Sequence, residues 1–245
     1  MPIAAALILW VLIAAAAQAL TRNPRCEPVA GLTLLFIRAY ARWFHRLRVV
    51  NLEHVPASMQ AGPLIVVCNH TAGVDPLLVQ AAARFEIRWM MARDMQPRFL
   101  GWLWDFTGVI PVNRAGADMT AARQALRYLA HGENGCGGVI GIFPEGGIER
   151  PARVVLPFQP GVGLLIHKSG APVLQAIIDG TPQTPTAWGS LFQRSTRVVS
   201  VTFLPVKDYR QTGLGAAAIA IDLRERLVSH TGWATASVRT RQTQA

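Results

Sequence analysis

The sequence predicts a layered α/β domain preceded by an apolar helical segment, and three observations carry the prediction. The apolar, β-branched run Leu64 to Cys68 stops at Asn69-His70, and Asp75 opens the next apolar segment five positions after the histidine. Strand-like and helix-like patterns then alternate down to residue 229 without internal repeats or low-complexity stretches, which favours layers of helix on sheet. Ahead of all this, Ile3 to Leu20 carries no charge. A chain of 245 residues is long enough to bury a full core in one such domain.

In chain order, the first element is the uncharged run of 18 residues from Ile3 to Leu20, polar in character only at Gln18 and followed by Arg22 and Arg25. Crossing a bilayer takes roughly 20 apolar residues, so this length is marginal. Ala17-Gln18-Ala19 resembles a signal-peptidase site, yet the positive charges follow the run instead of preceding it. That placement predicts an uncleaved anchor in the inner membrane, with Arg22 and the rest of the chain on the cytoplasmic side. A helix from Leu32 to Val49 would set Phe36, Tyr40, Trp43, Phe44 and Leu47 on one face and Arg38, Arg42, His45 and Arg46 on the other. A helix so divided suits the surface of an anionic membrane; the competing reading is a core-packed helix with a solvated arginine face. The expected organisation is an anchor at residues 1–28, an interfacial helix at 29–49, the α/β domain at 50–230 and a polar, mobile tail at 231–245.

Leu64 to Cys68 reads as a buried strand. Thr71 to Val74 reads as a turn, and Asp75-Pro76 as an N-cap with proline at the first helical position, ahead of Leu77 to Ala81. Asn69, His70 and Asp75 then lie at the carboxyl edge of a sheet, where open α/β folds bind ligands. Taken singly, Asp75 is a helix cap and His70 a hydrogen-bonded structural residue. As a pair they suit base chemistry: a carboxylate on one imidazole nitrogen fixes the tautomer and leaves the other nitrogen to take a proton. No Gly-x-Ser-x-Gly elbow accompanies them and Cys68 faces into the strand, so the base is expected to activate a hydroxyl on a substrate.

Further on, the segment 97–106 concentrates Phe99, Trp102, Trp104 and Phe106, which suits core packing and equally contact with lipid or an acyl chain. Asp118 to Ala130 has a helical pattern. Val139 to Phe143, Pro172 to Ile178 and Arg197 to Leu204 read as strands, and Ala216 to Ser229 as a closing helix.

Composition narrows the partners. Lys+Arg number 24 against 14 Asp+Glu, a net charge of +10, and all but two of the cations are arginine. Such a surface seeks anionic partners. With 51% hydrophobic and 16% charged residues and a mean hydropathy of +0.27, the chain is too apolar for a typical nucleic-acid binder, and anionic membrane lipids are the expected partner. Cys26, Cys68 and Cys136 are scattered, which argues against a disulfide framework or structural zinc. Walker A, His-Glu-x-x-His and dinucleotide Gly-x-Gly-x-x-Gly patterns are absent from the sequence, so no metal or redox cofactor is expected.

Four motifs follow one another over residues 50–205. Asn69, His70 and Asp75 form Asn-His-x-x-x-x-Asp; Gly108-Val109-Ile110-Pro111-Val112-Asn113-Arg114 runs from a glycine through an apolar stretch to an arginine. Phe143-Pro144-Glu145-Gly146 and the apolar segment Gly170-Ala171-Pro172-Val173-Leu174-Gln175 complete the set. In these motifs and their order the chain resembles the glycerolipid acyltransferases typified by bacterial 1-acylglycerol-3-phosphate acyltransferase. The resemblance implies a glycerolipid-acyltransferase-like layered fold that moves a fatty acyl group from an acyl thioester, of coenzyme A or acyl carrier protein, to the free hydroxyl of a lysolipid. The first acceptor it implies is 1-acylglycerol-3-phosphate, giving phosphatidic acid, with no cofactor beyond the acyl donor.

On that resemblance His70 is the base and Asp75 its orienting carboxylate, while Arg114 and Glu145 belong to the acceptor. Asn69, Phe143, Pro144, Gly146 and Gly147 join them at the substrate, with backbone N–H groups of Gly146-Gly147 as donors to the oxyanion. In isolation Arg114 reads as a solvated salt-bridge partner and Glu145 as a turn cap. One departure stands out: the family usually continues its third motif with threonine and arginine, whereas Ile148 holds the arginine's position here, and Arg150 and Arg153 are the nearby cations. Other acceptors, lyso-ornithine lipids and lysophospholipids with larger head groups, therefore stay open. So do two other classes: a basic membrane-binding protein whose His-Asp pair is structural, and a lipid hydrolase in which His70 activates water.

Overall fold

The computed structural model describes residues 2–113, 118–133, 135–148 and 151–236. Its strands are β1 (Arg48–Val50), β2 (Leu64–Cys68), β3 (Arg88–Ala92), β4 (Ile110–Val112), β5 (Val139–Ile142), β6 (Val154–Val155), β7 (Val173–Asp179), β8 (Ser200–Phe203) and β9 (Ala234–Thr235). Its helices are α1 (Pro2–Thr21), α2 (Pro28–Trp43), α3 (Asp75–Ala82), α4 (Gly101–Thr107), α5 (Met119–His131), α6 (Pro160–Ser169), α7 (Gly189–Phe192) and α8 (Ala216–Thr231). Seven strands form one sheet in the order β1-β8-β7-β2-β5-β3-β4, and β6 pairs with β9.

The sequence of β2 explains its central place. All five of its residues are buried, as expected of a parallel strand covered on both faces. It pairs in parallel with β5, Leu64 opposite Val139, and with β7, Ile65 opposite Val173. Leu64, Val66 and Cys68 enter a core shared with Ala41 of α2 and Leu78 and Val79 of α3; Ile65 and Val67 enter the opposite core with Ala125, Ile166 and Leu223 of α5, α6 and α8. Each large apolar side chain so buried contributes about 1.5–3 kcal/mol. β3 and β4 continue the parallel run, whereas β8 is antiparallel to β7 and parallel to β1. The carboxyl ends of β2, β3, β4, β5 and β7 thus share one edge, and the layered α/β expectation holds.

The second helix differs from its expected form. It stops at Trp43, and Arg48–Val50 instead joins the sheet opposite Ser200–Thr202. The break follows from His45, expected on the arginine face and found fully buried. Its Nε2–H donates to Tyr40 Oη (2.8 Å), Tyr40 Oη donates to the Leu191 carbonyl (2.6 Å), and Ser195 Oγ donates to Nδ1 (2.8 Å). Burial holds this imidazole below its ordinary pKa, in keeping with the neutral ring the network requires. Arg46 turns the chain out again with φ +54°. Of the expected apolar face, Leu47 is buried, whereas Phe36 and Trp43 are exposed and continue outward a stripe begun by Val29 and Leu32.

Every large apolar side chain of α1 from Ile3 to Ile13 is more than half exposed, on a helix long and apolar enough to cross a membrane. Of the two arginines after it, Arg25 spends its charge on Glu86 and also donates to the Phe106 carbonyl (2.6 Å), while Arg22 is exposed. The aromatic segment divides: Trp104 packs near Trp188, with ring centroids 6.0 Å apart, and Phe99 and Trp102 face outward. The expected tail begins as structure, since Ala234–Thr235 pairs with Val154–Val155; residues 237–245 lie outside the described residues.

Candidate active site

The end of β2 is fixed before the histidine is reached. Asn69 is fully buried, its Nδ2 donating to the Ile178 carbonyl (3.0 Å) and its Oδ1 accepting from the Ile178 N–H (2.8 Å). Asn69 was expected at the substrate; it instead clamps β2 to β7, because its amide matches the donor and acceptor of one backbone residue. The clamp delivers His70 to the sheet edge.

Asp75 departs from expectation in a way that builds the site. It is the first residue of α3 and caps nothing ahead of it. Its carboxylate folds back, so that Oδ2 accepts from His70 Nδ1 (2.9 Å), Thr71 N–H (2.6 Å) and Ala72 N–H (2.8 Å), while Thr71 Oγ1 lies 3.2 Å from Oδ1. Pro76, which has no N–H to offer, sits in the first helical turn. The Asp75 side chain has no exposure and that of His70 has 18%. A buried carboxylate on Nδ1 fixes that nitrogen as the donor and leaves Nε2 as the acceptor of a partly exposed ring. The turn is held from behind by Thr181 Oγ1, 2.7 Å from Thr71 Oγ1, and by Ser190 Oγ, which accepts from Val74 N–H (3.1 Å). Gly73 has no room for a side chain, since a Cβ would stand 2.2 Å from the Ala187 carbonyl oxygen.

The third motif follows β5 and meets the same turn. Glu145 is fully buried and its Oε2 accepts from the His70 backbone N–H (3.1 Å). Expected to order the acceptor, it braces the base from within. Gly146 adopts φ +67°, a conformation that favours glycine, and its N–H bonds the Phe143 carbonyl (3.1 Å). That bond removes Gly146 from the expected oxyanion donors; the Gly147 N–H makes no hydrogen bond within the described residues. Pro144 is buried, its carbonyl held by Gln159 N–H (2.7 Å). Phe143, also expected at the substrate, stacks on His70 with ring centroids 4.1 Å apart and 19° between planes.

Arg114 lies outside the described residues, as does Arg150. The flanks of residue 114 are placed: β4 runs in parallel with β3 to the His70 edge, and Asp118 caps α5 at Thr120 and Ala121 while accepting from Asn113 N–H (2.9 Å). Those backbone N–H groups, chiefly that of Ala121, hold the Asp118 carboxyl below its ordinary pKa. Ile148 is half-buried at the departure from the family pattern, and Arg153 places its guanidinium on Asp179 through Nε (3.1 Å) and Nη2 (2.8 Å). Cys68 is buried, and desolvation pushes its thiol well above the ordinary value, so it offers no thiolate. Trp89, Thr181 and Ser190 shape the site without any local sequence signal; each reaches it through tertiary contact.

Comparison with known proteins bears on the family and the fold. A protein-family model described as Acyltransferase matches residues 46–179. No curated protein matches the chain. Among solved structures the chain is similar to the 1-acyl-sn-glycerophosphate (LPA) acyltransferase, PlsC, from Thermotoga maritima, at 19% identity and a TM-score of 0.56, over 84% of this chain and 83% of that one. At that identity the likeness concerns the fold.

Proposed function

Because this chain belongs to the acyltransferase family, whose model covers more than half of it, we propose that it transfers a fatty acyl group from an acyl thioester, of coenzyme A or acyl carrier protein, to the free hydroxyl of a lysolipid. The observation that carries this reading is the His70–Asp75 pair at the carboxyl edge of the sheet, with Nε2 left as acceptor. In the proposed step Nε2 takes the hydroxyl proton as the oxygen attacks the thioester carbonyl. Asp75 balances the imidazolium, and Gly147 N–H offers a donor to the oxyanion. Collapse of the tetrahedral intermediate releases the thiolate, which recovers the proton from Nε2. With Cys68 buried and protonated, the acyl group passes directly between substrates.

The acceptor we favour is 1-acylglycerol-3-phosphate, with Arg114 forking onto its phosphate. Ile148 in place of the family's arginine, together with Arg153 committed to Asp179, supports a second reading in which a different lysolipid is acylated. Free thiol released from an acyl thioester should appear only when lysolipid is supplied, and a panel of lysolipid head groups identifies the acceptor. If lysophosphatidate is that acceptor, Arg114→Ala should raise its KM about 10-fold or more and leave the donor's KM unchanged. Release without acceptor would indicate a hydrolase, no release a binding protein; either result overturns the proposal.

The same reading places α1 in the inner membrane with the catalytic domain on its cytoplasmic side, against anionic lipid. Exposed α1, the outward stripe of α2 and the exposed Phe99 and Trp102 support it. High salt, which screens surface charge, should leave the protein in the membrane pellet, and mass spectrometry should find the intact amino terminus. A soluble protein shortened to begin near Leu20 would refute the anchor.

A further inference from the structure

His70 does not stand on Asp75 alone. Its ring lies on Phe143, and Phe143 lies in turn on the indole of Trp89, with centroids 4.8 Å apart and 12° between planes. The three rings come from neighbouring places in the sheet: the end of β2, the end of β5 and the start of β3. Trp89 sits directly opposite Gly141 in the β3·β5 ladder. Its indole lies across that glycine, where a Cβ would stand 2.4 Å from Cε3. Trp89 is 8% exposed and belongs to the core that holds Leu78 and Val79 of α3. The column therefore starts in packed core and ends at the base.

We propose that Trp89 is a positioning residue for the transfer reaction, acting through Phe143 to hold the plane of the His70 ring; the inference rests on His70 being the base. The hydrogen bond from Nδ1 to Asp75 fixes one corner of the imidazole but tolerates tilt about that contact. A ring face stacked at 4.1 Å removes the tilt and holds Nε2 in one direction. When Nε2 takes the proton, the same face presents its negative quadrupole to the imidazolium. Phe143, just past the end of β5, is only partly buried, and the buried indole behind it supplies the rigidity. Gly141 follows from the same geometry, since a side chain there would displace the indole.

Steady-state kinetics of the full-length protein with both substrates varied test the assignment. Trp89→Leu should lower kcat about 10-fold, part of the roughly 10²-fold cost of a misplacement of about 1 Å, and keep both KM values within about 2-fold. Trp89→Phe, which keeps a ring face, should recover most of the loss, and Gly141→Ala should reproduce it. Trp89→Leu with unchanged kcat, or Leu and Phe variants equally slow, would overturn the inference by showing that no ring face is needed. Should the leucine variant melt below assay temperature, Trp89→Met fills the volume without a ring and is judged by the same outcomes. An active His70→Ala protein would remove the underlying reading, whereas an inactive one beside a fully active Trp89→Leu would remove only the role of the column.

Discussion

Replacing His70 by alanine is expected to lower kcat by about 10²–10⁴-fold, the usual contribution of a positioned general base, in a protein that remains folded. The side chain is mostly buried, at 18% exposure, so its loss costs some packing, but Asp75 keeps the Thr71 and Ala72 N–H donors and the turn that carries them. The lost interaction exists only while the proton is moving, so KM for donor and acceptor should change little. Thiol release from an acyl thioester in the presence of lysolipid gives the rate, and thermal melting confirms the fold. A folded His70→Ala protein turning over within about 3-fold of the parent would return the pair to a structural role.

How much of this was legible in the sequence depends on the range of the forces involved. The strand Leu64 to Cys68 and the histidine at its end were readable because burial on both faces leaves a continuous apolar run and the chain then has to turn. The reach of Asp75 was half-readable: its spacing from His70 predicted the pair, but its place ahead of Pro76 predicted a cap. The competing donors, the Thr71 and Ala72 N–H groups, are made by the turn itself and carry no side-chain signature. His45 was misplaced by periodicity, since its partner Ser195 lies 150 positions away. Asn69 and Glu145 were read as substrate contacts because the family motifs single them out. Their buried partners, Ile178 and the His70 backbone, appear only once β7 and β5 flank β2. Trp89 gave no signal because its importance depends on a glycine in the neighbouring strand.

The second large effect is expected at Asp75, where two substitutions should behave differently. Asp75→Ala leaves the Thr71 and Ala72 N–H groups buried without an acceptor, at about 1–3 kcal/mol each. Denaturation should therefore show a loss of about 2–6 kcal/mol, with activity as low as that of His70→Ala. Asp75→Asn preserves more than a simple tautomer argument allows. One oxygen, Oδ2, receives all three N–H donors, from His70, Thr71 and Ala72. The amide oxygen takes that place, and the amide nitrogen faces Thr71 Oγ1, which accepts from it while donating to Thr181. The Nδ1–H tautomer of His70 survives and only the negative charge is lost. The asparagine variant should thus keep its stability within about 1 kcal/mol yet lose roughly 10²-fold in kcat, comparable to removing one preorganised electrostatic group. Equal destabilisation of both variants would contradict the shared-oxygen geometry, and a fully active asparagine variant would show that the imidazolium needs no counter-charge.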